Sequence, residues 1–452
     1  MTRPPHRRGP RPDPARRAAY DVLAAVRTDD AYANLVLPGL LRQRRIAGRD
    51  AAFATELAYG TLRAQGTLDE ILGRCVDRPL ADLDGAVRDV LRLGAYQLLR
   101  TRVATHAAVS STVDLARIVT SAGPAKLVNA VLRRVAEHDY PGWLDVVVPA
   151  DDPIGALAIR HAHPRWVAQV FCDALGGDLA ETAAALTGDD ERPQVHLAAL
   201  PGRVGRDELV RGSGGTPGPW SPYAVRLEGG DPGAIDAMRD GRAQVQDEGS
   251  QLVTLALATA PLDGSDTRWL DLCAGPGGKA ALLGALAVPC GAQVTAVELH
   301  EHRAGLVAKS AAGLPVDVRV ADGREIEGEY DRVLLDAPCT GLGALRRRPE
   351  ARWRRQPSDV PALARLQREL LTAALRVTRP GGVVAYATCS PHLAETRVVV
   401  DDVVRAGLGE WLDARPALPG VPALGDGPWV QLWPHRHGTD AMFLALLTPA
   451  AR

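Results

Sequence analysis

The chain has 452 residues and a formal net charge of −1 at pH 7, so its length predicts two or three domains and its overall charge does not indicate a nucleic-acid-binding protein. Its six cysteines are dispersed and form no Cys-x-x-Cys pair, which argues against a disulfide framework or a zinc site and favours free thiols. The basic N-terminus lacks the apolar core of a secretory signal, and no apolar run is long enough to span a bilayer. We therefore expect a cytoplasmic protein without a membrane segment or a bound metal.

The first half of the chain is predicted to contain a tail, a helical domain and a small mixed domain. Residues 1–15 are rich in Pro and Arg, which predicts a flexible tail, with an auxiliary RNA-contacting arm as the alternative. Residues 16–139 carry apolar side chains at i, i+3, i+4 and i+7, as in "VRDVLRLGAYQLL", which predicts an all-α domain. Residues 140–245 mix short strand-like pieces with Gly/Pro turns, which indicates a small α+β linker domain.

Residues 246–450 alternate between strand and helix patterns. The strand-like segments are "TRWLDLC", "QVTAVEL", "VDVRVAD", "YDRVLLDAP" and "GGVVAYATC". Strands that alternate with helices predict a parallel, doubly wound, Rossmann-like α/β sheet. The last two segments, "WVQLWPH" and "AMFLALLT", have no helix between them and predict an antiparallel hairpin at the sheet edge.

A glycine-rich turn joins the first predicted strand of this sheet to the next helix. Such a turn lets the backbone approach a ligand closely and directs free N–H groups towards it. Glu298 and Asp322 end the next two strands, where carboxylates can accept ribose hydroxyls and an adenine amino group. The pattern predicts a nucleoside cofactor, either a nicotinamide cofactor or S-adenosylmethionine. The candidate cofactor residues of the turn are Cys273, Ala274, Gly275, Pro276, Gly277, Gly278 and Lys279.

Two cysteines end neighbouring predicted strands. Cys339 follows Asp336 in "LLDAPCTG", and Cys389 ends "YATC". Because the carboxyl ends of parallel strands share one edge of a sheet, both thiols should face the cofactor crevice, although two buried core thiols are the alternative. A thiolate there suits covalent catalysis on cytosine, in which addition at C6 makes C5 nucleophilic enough to accept a methyl group. Asp336 would hold the base, which must leave its stack to enter the site.

The basic run "LRRRPEARWRR" follows Cys339 closely. Guanidinium groups mixed with an indole suit the phosphates and unpaired bases of single-stranded RNA, although a solvated helix face is the alternative. The predicted RNA contacts are Arg346, Arg347, Arg348, Arg352 and Trp353.

Several motifs together carry a family resemblance. "DLCAGPGGK", "DAPCTGLGALRRRPEARW" and "YATCS", flanked by "VQDEGSQ" and "GTDAMF", resemble the motifs of RNA cytosine-C5 methyltransferases. "LRLGAYQLL", "HAAVSSTVDLAR" and "KLVNAVLRR" resemble the antitermination factor NusB. The combination is similar to the RsmB (Sun/Fmu) family, which methylates 16S ribosomal RNA.

The resemblance implies roles for the candidate residues. Cys389 would be the nucleophile, Cys339 would assist product release and removal of the C5 proton, and Asp336 would position the base. The implied cofactor is S-adenosylmethionine, contacted by the 273–279 turn, Glu298, Asp322 and Asp336. Thr396 stands where the family usually has Asn. The implied partner is 16S rRNA, bound by a monomer; the alternatives are methylation of tRNA or another rRNA site, and a non-catalytic NusB-like RNA-binding protein.

Overall fold

The computed structural model describes residues 13–120 and 123–450. The chain forms two compact units. The helical unit consists of the described parts of Met1–Cys172, Gly177–Asp190 and Leu345–Arg354, and the sheet unit of Asp173–Gly176, Glu191–Ala344 and Arg355–Arg452, again as far as described. Among the described residues, no helix is long and apolar enough to cross a membrane.

The helical unit is built around one apolar core. Gly94 of the fourth helix shows how closely the helices pack, since a Cβ atom there would lie 2.7 Å from Leu132 Cδ1. Buried side chains such as Leu57, Leu68 and Val90 fill the core at the predicted helical spacing. The helices up to the first strand are α1 (Pro14–Thr28), α2 (Ala33–Gln43), α3 (Gly48–Cys75), α4 (Gly85–Arg100), α5 (Thr105–Val119), α6 (Pro124–Val135), α7 (Tyr140–Val147), α8 (Pro153–Arg160), α9 (Arg165–Ala174) and α10 (Leu179–Asp190).

Two predicted boundaries differ from the structure. Of the tail predicted over residues 1–15, residues 1–12 lie outside the described residues, whereas Pro14 and Ala15 already belong to α1. The Asp13 side chain caps that helix by accepting from Arg16 N at 2.9 Å. The segment predicted as an α+β linker is divided, because α7 to α10 largely join the helical unit and only the later strands join the sheet unit.

The sheet unit contains two sheets. The first is antiparallel, has the order β2–β3–β1–β4 and lies beside α11 (Arg206–Ser213) and α12 (Asp236–Arg239). Its strands are β1 (Val195–Ala199), β2 (Thr216–Pro217), β3 (Ala224–Leu227) and β4 (Ala243–Val245).

The second sheet has the order β10–β12–β9–β8–β5–β6–β7, with β11 paired to β12. The run from β7 to β9 is parallel, and β12 is antiparallel to both β9 and β10. The predicted closing hairpin therefore exists, but β10 and not β12 forms the edge of the sheet. The strands are β5 (Arg268–Asp271), β6 (Gln293–Glu298), β7 (Val316–Val320), β8 (Tyr330–Asp336), β9 (Thr378–Thr388), β10 (Gly409–Leu412), β11 (Val430–Gln431) and β12 (Phe443–Pro449).

Helices cover both faces of this sheet, which confirms the predicted doubly wound architecture. Leu334 of β8 packs into the core that contains Leu252 and Leu283, whereas its neighbours Val333 and Leu335 pack into a second core. Successive side chains of a strand point to opposite faces, so a strand buried on both sides must be apolar throughout. The helices are α13 (Glu248–Thr259), α14 (Gly278–Ala287), α15 (Glu301–Ser310), α17 (Val360–Val377), α18 (Arg397–Arg405) and α19 (Pro434–His437), while α16 (Ala351–Arg354) belongs to the helical unit.

Candidate active site

The carboxyl ends of the parallel strands bring the chemically active residues to one edge of the sheet. Strand β5 ends at Asp271, β6 at Glu298 and β8 at Asp336, and Cys389 directly follows β9. Strands β5 and β8 are adjacent although they are not consecutive, so the chain reverses its direction of winding between them. Ligands of doubly wound sheets bind at such a switch point.

The two cysteines of the strand ends are in contact. Cys339 Sγ and Cys389 Sγ lie 3.5 Å apart, and all six cysteines are free thiols. Gly343 N donates to Cys389 O at 2.8 Å, and Gly343 O accepts from Ala441 N at 2.8 Å. A Cβ atom at position 343 would lie 2.1 Å from Ala441 O, so the loop after Cys339 requires glycine there to stay against the backbone of Cys389.

The environment of Cys339 favours the thiol over the thiolate. The hydrogen bond with Cys389, and then burial, raise the pKa of Cys339 well above its ordinary value. Two adjacent thiols cannot both ionise at low cost, because the second negative charge would be repelled by the first. The pair therefore supports at most one thiolate, and Cys339 retains its proton.

Lys279 lies beside Asp336. Its Nζ is 2.7 Å from Asp336 Oδ2. Burial disfavours the ammonium group, but the charge of Asp336 outweighs this cost, and the pKa of Lys279 is raised, with a smaller contribution from Cys389. Sequence reasoning placed Lys279 with the cofactor turn and missed this pairing, because its position at the first turn of α14 does not show where a long side chain ends.

A buried carboxylate connects the loops that carry the cysteines. Glu395 accepts from Thr340 N at 2.8 Å, from Ser390 Oγ at 2.7 Å and from Gln367 Nε2 at 3.2 Å, and also from the Thr340 hydroxyl. Thr340 and Ser390 directly follow Cys339 and Cys389, so Glu395 fixes both loops at once. Thr396 donates locally to His392 O at 3.0 Å.

The glycine-rich turn and Glu298 form the other side of the site. Gly275 N donates to Glu298 Oε2 and His300 N to Glu298 Oε1, each at 3.1 Å. Gly277 has φ +114° just before α14, a conformation that favours glycine. Asp322 is ion-paired with Arg324 at 2.6 Å, which lowers the pKa of its carboxyl.

Asp271 is an unpaired acid beneath this turn. Its side chain is completely buried, and among the described residues its carboxylate has no side-chain hydrogen-bond partner and only weak support from the backbone of Cys273. Burial, and then the charge of Asp336, raise the pKa of Asp271 to about 7. A cofactor with cationic and hydroxyl groups suits these residues, because the strand ends offer mainly carboxylate acceptors. S-adenosylmethionine, with its sulfonium, ammonium, ribose hydroxyls and adenine amine, is such a molecule.

The two flanking motifs meet in the sheet unit. Asp247 Oδ1 of "VQDEGSQ" accepts from Asp440 N of "GTDAMF" at 3.1 Å. Glu248 is buried and accepts from Trp220 N at 2.7 Å and from Ser221 N at 2.9 Å. These motifs therefore have a structural role, which holds α13 to the segments around it.

The basic segment lies, up to Arg354, in the helical unit and is less accessible than predicted. Arg352 is fully buried, and its guanidinium donates to Asp190 Oδ1 at 2.8 Å, Asp189 O at 2.9 Å and Arg63 O at 3.1 Å. This corrects the predicted RNA contact by Arg352, because a guanidinium engaged in the interior cannot reach an RNA. Arg346 is only 7% exposed, which disfavours the same prediction there.

For Arg347, Arg348 and Trp353, contact with RNA remains a prediction. Arg348 is exposed and lies over the Tyr32 ring, 4.7 Å from its centroid, while Arg347 and Trp353 are half-buried.

For metals, the described residues contain no group of three or more His, Cys, Asp or Glu side chains that could hold an ion.

Comparisons with known proteins place these features in a family. Residues 256–448 match the model of the 16S rRNA methyltransferase RsmB/F family, and residues 13–137 match the NusB family. The putative methyltransferase Rv1407 of Mycobacterium tuberculosis is 60% identical over 98% of this chain and 99% of its own length. Ribosomal RNA small subunit methyltransferase B of Salmonella newport is 33% identical over 95% of this chain and 97% of its own length.

The fold is shared with solved structures as well. The crystal structure of PH0851 superposes with a TM-score of 0.81 over 97% of this chain and 99% of its own length, at 22% sequence identity. At that identity the likeness shows the fold alone, whereas the full-length relatives carry the family assignment. The chain therefore belongs to the RsmB/F family of rRNA methyltransferases, which use S-adenosylmethionine, and it carries a NusB-family region ahead of the catalytic sheet.

Proposed function

We propose that the protein methylates C5 of a cytosine in 16S rRNA through a covalent adduct with Cys389. The observation that carries this proposal is the pair of thiols 3.5 Å apart at the ends of β8 and β9, beside the Lys279–Asp336 pair. Cytosine C5 is too weak a nucleophile to accept a methyl group directly, so an enzyme that acts there needs a nucleophile to add first.

The proposed reaction uses both thiols. The Cys389 thiolate adds to C6 of the cytosine, and the C5–C6 electron pair moves to C5. S-adenosylmethionine supplies the electrophilic methyl group that C5 accepts. A base then removes the proton from C5, and the electrons of that C–H bond restore the C5–C6 double bond as the Cys389 sulfur leaves.

Cys339 is suited to the last step because it holds a proton next to the leaving sulfur. Its raised pKa means that it enters the reaction as a thiol, so it can accept the C5 proton only as it passes its own proton to the departing Cys389 sulfur. A thiol 3.5 Å from Cys389 Sγ can protonate the departing thiolate, and so assist release of the methylated base.

Asp336 and Lys279 are proposed to hold the cytosine. The carboxylate can accept from the exocyclic amine, and the ammonium group can donate to the ring carbonyl, so the adduct forms against a fixed pair of charges. The backbone of the glycine-rich turn from Cys273 to Lys279, with the side chains of Glu298 and Asp322, is proposed to bind the cofactor. Glu298, now bonded to Gly275 N, His300 N and Arg303, would turn to the ribose, and Asp322 would exchange Arg324 for the adenine.

Two variants test the proposal. Cys389→Ser should lower methyl transfer to a 16S rRNA transcript by at least about 10³-fold, because the nucleophile is removed. Cys339→Ala should retain adduct formation but release product slowly, so that a protein–RNA complex survives denaturing electrophoresis. Cys290→Ala is the matched control, since Cys290 is an exposed thiol outside the site.

Other outcomes would contradict separate parts of the proposal. Full activity of Cys389→Ser would exclude the adduct, and failure of Cys339→Ala to accumulate a complex would exclude its role in release. Methylation of tRNA and not of the 16S transcript would keep the chemistry but change the substrate. No turnover at all by the wild-type chain would favour a non-catalytic RNA-binding protein.

A further inference from the structure

The small antiparallel sheet takes no part in the chemistry proposed above, yet it packs against the helix that follows the glycine-rich turn. Leu200, which directly follows β1, is 1% exposed and shares an apolar core with Leu282 and Ala285 of α14. Tyr223, just before β3, packs against the same core. All of these residues belong to the sheet unit. The small sheet therefore supports one face of α14.

Gln244 of β4 connects this sheet to the first turn of α14. Its Nε2 donates to Gly278 O at 2.7 Å and to Gln246 Oε1 at 2.9 Å. Gln246 is only 6% exposed, and a Cβ atom at position 278 would lie 4.0 Å from its Cδ. The half-buried side chain of Gln244 is therefore fixed by a buried amide on one side and holds the Gly278 carbonyl on the other.

Arg203 makes a second connection, to the segment that follows α15. Its guanidinium donates to Ala312 O at 2.6 Å and to Gly241 O at 3.1 Å. Helix α15 in turn packs closely on the glycine-rich turn, because a Cβ atom at Gly277 would lie 2.9 Å from Val307 Cα. The small sheet thus reaches the turn from two directions, directly at the first turn of α14 and through α15.

The N-terminus of α14 depends on such outside support. Its N-cap residue, Gly277, has φ +114°, and no described side chain caps the helix. The first N–H groups of a helix have no partner within it and can bind anionic groups of a ligand. Glycines adopt many backbone conformations, so a glycine-rich turn is easily displaced. A turn that is held in its binding conformation binds more tightly, because less freedom is lost when the ligand arrives.

We propose that Gln244 and Arg203 are positioning residues that raise the affinity for S-adenosylmethionine by holding the glycine-rich turn in its binding conformation. Both act on backbone carbonyl groups, Gly278 O and Ala312 O, and not on the cofactor itself. The proposal rests on cofactor binding by this turn, as proposed above, but not on the methylated base or on Cys389. It gives the small sheet a role in cofactor binding.

Gln244→Met is the main test, because methionine keeps the length of the side chain and removes both N–H donors. The Kd of S-adenosylmethionine, measured by calorimetry with the full chain and without RNA, should rise about three- to tenfold. The KM for S-adenosylmethionine should rise as well, whereas kcat at saturating cofactor and RNA should stay within about twofold of the wild-type value. A residue that only stabilises the fold would lower the unfolding temperature and leave this Kd unchanged.

Gln293→Met is the matched control. Gln293 is an exposed glutamine at the start of β6, at the opposite end of the strand from Glu298, and its replacement should leave Kd, KM and kcat as in the wild-type chain. Arg203→Met is the second variant, at a position whose hydrogen bonds are exposed and whose loss does not endanger folding. It should raise the Kd of S-adenosylmethionine about two- to threefold.

Hydrogen exchange measures the turn itself in the cofactor-free protein. Peptides that cover residues 274–282 should exchange faster in Gln244→Met than in Gln293→Met. Wild-type Kd in both Gln244→Met and Arg203→Met, or equal exchange of the turn in Gln244→Met and Gln293→Met, would overturn the proposal.

The tests also separate this proposal from the proposed chemistry. Cys389→Ser should bind S-adenosylmethionine with wild-type affinity, so methylation by that variant would exclude the adduct and leave the role of Gln244 and Arg203 standing. Unchanged cofactor affinity in the Gln244 and Arg203 variants would exclude their role and leave the adduct standing. A wild-type chain that binds no S-adenosylmethionine would overturn the positioning role.

Discussion

Asp271 is a carboxyl group whose protonation is set by burial at the end of β5. Its pKa of about 7 compares with an ordinary value of 3.8. Between these two values the folded chain keeps a proton that the unfolded chain releases, so the free energy of unfolding decreases as pH rises through this window. Above about pH 7 the folded carboxyl group is ionised as well, and the cost of keeping this charge buried in the folded chain is then at its maximum.

Replacing Asp271 by Asn should therefore stabilise the cofactor-free protein at pH 8. The expected gain is about 2–4 kcal/mol in the free energy of unfolding by urea, and it should vanish below pH 4. Asp331→Asn is the control with the opposite sign. Asp331 is paired with Arg379 at 2.6 Å and has a lowered pKa, so the stability that it contributes is present at pH 8 and lost as pH falls below 4. A loss of stability in Asp271→Asn at pH 8 would contradict the assigned environment.

Glu395 is a positioning residue, since it touches the neighbours of both cysteines and neither sulfur. Glu395→Ala should lower kcat about 10- to 100-fold, because loops displaced by about 1 Å no longer hold the two sulfur atoms in the positions that the reaction needs. Glu395→Gln should recover part of this loss, because its amide oxygen can still accept from Thr340 N. The affinity for S-adenosylmethionine, measured by calorimetry, should stay unchanged in both variants. Equal kcat in all three proteins would exclude the positioning role.

At the scale of elements, the segment Leu345–Arg354 has an unexpected role. It follows β8 and the Cys339 loop in sequence, yet it belongs to the helical unit. Arg352 is its buried anchor, because three backbone or carboxylate oxygens of α3 and α10 accept from one guanidinium. The charge run thus combines a buried structural arginine with exposed ones such as Arg348.

The anchor can be tested against its exposed neighbour. Arg352→Met should cost about 3–5 kcal/mol in the free energy of unfolding of the helical unit, since Asp189 O, Arg63 O and Asp190 Oδ1 all lose the guanidinium that donates to them. Arg348→Met, which removes an exposed side chain over Tyr32, should cost less than about 1 kcal/mol. Hydrogen exchange should show loss of protection across residues 345–354 for the first variant. Similar protection in both would contradict the anchoring role.

For the whole molecule, sequence patterns predicted the helices and strands better than the way in which these elements pair. The five parallel strands and the glycine-rich turn were predictable, because strand burial and turn chemistry are local properties. The insertion of β12 between β9 and β10 was not, since it depends on pairing across the sheet. The part of the site that depends on strand ends was predictable. Cys339, Cys389 and Asp336 lie at or just after the ends of neighbouring strands, and this position predicts that they lie together.

What the sequence could not show was the direction of long side chains. Lys279 reaches Asp336, and Arg352 turns into the helical unit, although both stand in motifs that predict ligand contacts. The assignment of most of residues 140–190 to the helical unit also depends on packing over long distances, which short strand-like and helix-like patterns do not encode.

The central claim is that this protein methylates C5 of one cytosine in 16S rRNA through Cys389. Bisulfite sequencing of 16S rRNA tests it most directly, in a strain that lacks the protein and in the same strain restored with the wild-type chain or with Cys389→Ser. We predict one cytosine whose protection from conversion disappears in the deletion strain, returns with the wild-type chain and does not return with Cys389→Ser. An unchanged pattern of protected cytosines in the deletion strain, or full protection restored by Cys389→Ser, would contradict the account.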